Sequence, residues 1–135
     1  FDIEIVEAHH RGKRDAPSGT ALTAAGILAR SRGRSGDAVV VSGRSGPSTT
    51  RERGDIGVHS VRGGSIAGRH TVHFLSGLET LALEHVALSR EAFAVGAVRA
   101  ARFTAVTEPG LYDMLDVLGL RDGANGGGTE ENTGS

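Results

Sequence analysis

The chain has 135 residues with 15 basic and 16 acidic side chains, no cysteine, four Phe, one Tyr and no Trp. That length supplies a core without disulfide or metal staples, and the missing thiols exclude disulfides and thiolate metal centres and fit a reducing, cytoplasmic setting. A net charge of −1 and so few stacking side chains argue against nucleic acid, and no apolar run approaches membrane-spanning length.

The chain opens at Phe1, without Met, directly in an apolar alternation, as a piece of a longer protein would. Phe1, Ile3 and Ile5 alternate with Asp2 and Glu4, which predicts a half-buried strand over 1–8 that delivers His9 and His10 at its end. Residues 11–17 read as loop, and Ser18 is a good N-cap for a helix over 19–32, with Ala21, Leu22, Ala25 and Leu28 at helical spacing and Gly33 as its stop. A short strand is expected over 37–42, followed by a polar, glycine-rich loop over 43–54 whose Arg44, Arg51 and Arg53 either close over a phosphate or lie on a solvated surface. Three strands are predicted at 56–62, 65–75 and 79–89, turning at Gly63-Gly64 and Ser76-Gly77-Leu78. Helices follow at 90–105 and 111–120, and the Gly-rich acidic tail, 121–135, has too little to bury and is expected to be disordered. The order gives an α+β domain over 1–120, an open sheet with helices on one face and the other face left for oligomerisation or for another part of the protein.

Chemistry concentrates in Glu7-Ala-His-His-Arg-Gly-Lys-Arg-Asp-Ala-Pro-Ser-Gly-Thr-Ala21. The chain's one lysine, Lys13, lies four residues after His9, and both are groups able to pass protons near neutral pH. Ser18-Gly19-Thr20 sets free N–H groups at the positive end of a helix, where a carboxylate or phosphate binds, although an ordinary capped helix begins the same way. Adjacent histidines at a strand end point in different directions, so no metal site is expected. His59, His70, His73 and His85 fall on predicted strands and read as structural or interface residues, with His73 and His85 able to meet across adjacent strands.

This 7–21 segment closely resembles the signature of the 4-hydroxy-tetrahydrodipicolinate (dihydrodipicolinate) reductases of lysine and diaminopimelate biosynthesis, roughly E-x-H-H-x-x-K-x-D-A-P-S-G-T-A, at every fixed position. The likeness continues through 54–74 and 89–101 and covers about 2–120. It is a likeness to the family's C-terminal domain, whose fold is an open mixed sheet with helices on one face and a homotetramer built through the other. The family's N-terminal Rossmann domain, which binds NADH or NADPH, has no counterpart here. The resemblance implies that His9 is the general acid/base and Lys13 a proton donor. It further implies that His10 contacts a cyclic dicarboxylate substrate while Gly19 and Thr20 hold one of its carboxylates. A stand-alone dicarboxylate-binding or oligomerisation module is the rival expectation.

Overall fold

The computed structural model describes residues 1–34, 40–47 and 49–121. Two compact units make up the chain, Phe1–Arg90 and Glu91–Ser135.

In the first unit the elements run β1 (Asp2–His9), α1 (Gly19–Ser31), β2 (Val40–Ser42), β3 (Ile56–Arg62), β4 (Gly68–Leu75) and β5 (Thr80–Ala87). They form one five-stranded mixed sheet in the order β2-β3-β1-β4-β5. β1 is its centre, parallel to β3 and antiparallel to β4. The alternation in β1 sends Ile3 and Ile5 to the face covered by α1, where they pack with Ile56 and Val58 of β3 and with Ala21, Ala25 and Ala29 of the helix. Burying an isoleucine in this way contributes roughly 1.5–3 kcal/mol. Alanine at three successive i, i+4 positions lets the helix approach the strands closely, and Leu22 therefore turns outward rather than joining the apolar stripe. Ser18 caps α1 by accepting from the Ala21 N–H, and Gly33 follows its end in the left-handed region at φ 68°.

The predicted ends shift where turns intervene. Gly63 donates its N–H to the His9 carbonyl and Arg11 donates to that of Gly64, so residues 65–67 extend the turn and β4 starts only at Gly68. That turn joins two strands that are not neighbours, since β1 lies between β3 and β4. The turn after Leu75 is closed by the Ser76 N–H on the Glu79 carbonyl, which pairs Leu75 with Thr80 and fixes the register of the whole hairpin. In that register His85 faces His70, and His73 faces Ala82. The expected meeting of His73 with His85 is thus corrected. Of the predicted strand over 37–42, the part at 37–39 lies outside the described residues, as does the tail from 122 onward.

On the sheet face away from α1, Glu4 is a half-buried carboxylate. Arg44 reaches it at 2.9 Å, His59 Nε2 lies 2.6 Å from it, and Arg51 pairs with it as well. Arg51 Nε also lies 3.1 Å from Asp2. Two of the loop's arginines are thus spent on pinning 43–54 to the sheet rather than on a phosphate. Gly57, opposite Glu4, makes room for this cluster, because a Cβ there would stand 1.9 Å from Glu4 Oε2. Burial raises the Glu4 pKa, but Arg44 and His59, with Arg51, bring it below the usual carboxylate value.

The second unit holds α2 (Glu91–Thr104) and α3 (Met114–Leu118). α3 starts on a capping box between Asp113 and Asp116 and ends at Gly119 in the left-handed region, and Phe103 meets Tyr112 edge-to-face with ring centroids 5.2 Å apart. The helix expected over 111–120 is confined by these caps to its middle.

Candidate active site

The C-terminal end of β1 gathers the groups that carry chemistry. Following the parity of Ile3 and Ile5, Glu7 points to the α1 side and is fully buried. A buried carboxylate is tolerated only if its lone pairs are filled. Arg62, from β3, donates Nη1 to Oε2 at 2.8 Å and Nη2 to Oε1 at 2.7 Å, a bidentate fork. The Ser18 backbone N–H donates to Oε1 at 3.2 Å, and His9 Nδ1 lies 2.6 Å from Oε2. Arg62 also donates to the Asp15 carbonyl at 2.7 Å, tying the basic loop to the same fork.

Burial alone raises the Glu7 pKa, yet the hydrogen bonds from Arg62, Ser60 and His9 overcome it and bring it to about 2. A carboxyl with a lowered folded-state pKa stabilises the fold above its unfolded value of 4.5, and this contribution is lost as pH falls from there through about 2. The shift corresponds to on the order of 3 kcal/mol. Acid titration followed by circular dichroism is therefore expected to show stability falling below about pH 4.5. A transition insensitive to Glu7→Gln in that range would contradict it.

His70 of β4 completes the cluster. Its Nε2 lies 2.9 Å from the Ser18 hydroxyl, and its ring meets that of His9 edge-on, with centroids 5.1 Å apart. Burial, and repulsion from His9, lower the His70 pKa, so the ring is held neutral beside the helix start. Next to it the α1 N-terminus opens outward. Gly19 and Thr20 are exposed, nothing lies within 4 Å of where a Gly19 Cβ would be, and among the described residues nothing accepts either N–H. Lys13 sits in the loop between, its Nζ 2.9 Å from Asp15, whose pKa is lowered chiefly by that hydrogen bond. His10 follows β1 half-buried, its carbonyl accepting the Lys13 N–H at 3.1 Å.

Of the residues singled out in the sequence, the structure thus joins His9 to Glu7 and His70, and leaves Gly19 and Thr20 open at the helix start. His70, read as structural, belongs to this cluster. Glu7 opens the 7–21 segment but has no site role in the sequence reading, and Arg62 is not singled out there. An acidic side chain in step with Ile3 and Ile5 was the available signal for Glu7, whereas Arg62 arrives only through strand order.

The family model described as the C-terminus of dihydrodipicolinate reductase matches residues 1–118. The 4-hydroxy-tetrahydrodipicolinate reductase of Rubrobacter xylanophilus is 57% identical over 118 residues, 87% of this chain and 45% of that protein. The enzyme of the same name from Roseobacter denitrificans is 54% identical over 123 residues, 91% of this chain and again 45% of the relative. Among solved structures, a dipicolinate-bound dihydrodipicolinate reductase from Paenisporosarcina sp. TG-14 superposes with a TM-score of 0.54 at 30% identity, covering 72% of this chain and 37% of its own. The chain thus spans under half the length of the curated relatives it matches. With that extent of match, this chain belongs to the dihydrodipicolinate reductase family, corresponding to its C-terminal part.

Proposed function

We propose that the protein carrying this chain reduces 4-hydroxy-tetrahydrodipicolinate to tetrahydrodipicolinate with NADH or NADPH, in lysine and diaminopimelate biosynthesis. This chain supplies the substrate site and the proton donors. The observation that carries the reading is the juxtaposition at one sheet end of an outward-open helix N-terminus with the His9–His70 pair and the Lys13 loop. The dipicolinate-bound relative supports a planar cyclic dicarboxylate as the ligand class.

In this reading the Gly19 and Thr20 N–H groups hold one carboxylate through hydrogen bonds and the helix dipole. His10 contacts the substrate, and the cationic loop favours its second negative charge. His9 acts as the general acid/base and Lys13 as a proton donor, the ammonium leaving Asp15 when the dianion arrives. A nicotinamide coenzyme, when bound, supplies the hydride. The strand–turn–helix of this chain does not fit its pyrophosphate, since β1 leads into α1 through the basic loop and not through a G-x-G-x-x-G turn. Coenzyme binding is therefore assigned to the part of the relatives that this chain does not span.

The protein assembles as a homotetramer through the sheet face away from α1. Supporting this, Val6, Ala8, exposed Val61 and Ile66 line a hollow of about 370 Å³ with Arg69, Thr71, His73 and Glu84 on that side. The setting is cytoplasmic. Among the described residues, no helix is long and apolar enough to cross a membrane.

Two measurements on the full-length protein test the function together: substrate-dependent oxidation of NADH and NADPH, and calorimetric binding of dipicolinate. Turnover with either coenzyme is expected. Dipicolinate binding without any turnover replaces the reading with that of a binding module, and failure of both removes the site assignment altogether.

A further inference from the structure

We propose that Glu7 is the positioning residue of His9, its buried and Arg62-clamped carboxylate holding the imidazole in the Nδ1–H tautomer so that Nε2 is the nitrogen that exchanges protons with substrate. The inference rests on the reductase reading above for what His9 does, and on the geometry for how His9 is held.

An ionised carboxylate only accepts hydrogen bonds, with about four lone-pair sites. The other groups on Glu7, Arg62, the Ser18 N–H and the Ser60 hydroxyl, all act as donors to it. Oε1 takes Arg62 Nη2 and the Ser18 N–H, and Oε2 takes Arg62 Nη1. The contact of 2.6 Å between Oε2 and His9 Nδ1 then requires the proton on Nδ1. Nε2 is left with no partner among the described residues. The carboxylate itself cannot swing away, because its fork to Arg62 and its bond to Ser18 fasten it to β3 and to the start of α1 at once.

The consequence for chemistry follows from the bookkeeping of one proton. When the cationic imidazole gives its Nε2 proton to the substrate ring, the N–H bond at Nε2 breaks, its electron pair stays on the nitrogen, and the neutral Nδ1–H tautomer remains. That is the tautomer already bonded to Glu7, so no ring flip or proton shift interrupts the cycle. Glu7 does not itself receive the proton, since Arg62 and Ser60 keep it ionised. The same carboxylate fixes Ser18, whose hydroxyl meets His70 and caps α1, so the acid/base group and the open helix start share a single anchor.

The test uses the full-length protein. Glu7→Gln is expected to lower kcat by about a hundredfold, with KM moving much less, because an amide does not enforce one tautomer. In a His9→Ala background the same substitution is expected to lower kcat no further. An equal loss in both backgrounds would show that Glu7 acts on folding alone and would overturn the proposal. Should Glu7→Gln not fold, the wild-type protein labelled with ¹⁵N-histidine decides the matter. Long-range proton–nitrogen correlations are expected to show His9 with a protonated, pyrrole-type Nδ1, and an unprotonated Nδ1 overturns the proposal. The nitrogen spectrum reads the tautomer whether or not the protein turns over substrate, which separates failure of this inference from failure of the reductase reading.

Discussion

Alanine at His9 or at Lys13 in the full-length protein is expected to reduce kcat by about 10²–10⁴-fold while KM changes far less. In the proposed reading each substitution removes a proton donor and leaves the open N-terminus of α1 in place. The structure allows the changes to be read as chemical rather than structural. The Lys13 ammonium is partly exposed and, among the described residues, pairs with the exposed Asp15, so its removal leaves no buried charge behind. His9 contributes one of several hydrogen bonds to Glu7, and the Arg62 fork remains in its absence. Steady-state kinetics, with dipicolinate affinity measured alongside, checks the expectation. Near-wild-type turnover in either variant, in a protein with demonstrated reductase activity, removes that residue from the mechanism.

Arg62→Ala is expected to act in the opposite manner, on stability before chemistry. It strips both forked hydrogen bonds from a carboxylate with no access to solvent, and breaking a buried ion pair from one side typically costs about 3–5 kcal/mol. Urea denaturation of the variant and the parent at neutral pH measures this loss. The sign of its pH dependence is fixed by the same pair. Without Arg62 the Glu7 carboxyl is no longer held at about 2, so it takes up a proton more readily in the folded state, and the gap between variant and parent is expected to narrow as pH falls below about 4.5. A variant as stable as the parent at neutral pH would show that the fork contributes nothing net.

The local parts of this architecture are written in local sequence. Alternation over the first residues gives β1, Ser18 gives the start of α1, and Gly33 gives its stop, because a strand face, a cap and a left-handed turn each need only their neighbours. His9, Lys13, Gly19 and Thr20 were accordingly nameable as one run. Arg62 and His70 were not. Each reaches the site because β1 is inserted between β3 and β4, a pairing choice made more than fifty residues away in the chain, and no spacing within a window encodes it. Loop 43–54 shows the same limit from the other side. Arg44 and Arg51 read as closing over a phosphate or lying in solvent, while their destination, Glu4, lies on a strand already accounted for. Leu22 departs from its expected place for a simpler reason. The helix stripe is set by which small residues let it approach the sheet, and that contest was won by Ala21, Ala25 and Ala29.

The central position of β1 has one more consequence. Glu4 and Glu7 face opposite sides of the same strand, and each is neutralised by groups that β3 or the loop before it delivers. Until β3 docks, the strand that presents His9 carries uncompensated negative charge and gains little by leaving water. Assembly of the sheet and readiness of the site are therefore one cooperative event. A nascent or partly unfolded chain cannot hold His9 against an Arg62-paired Glu7, and the protonation of two carboxylates on one strand reports whether the parallel zipper beside them has closed.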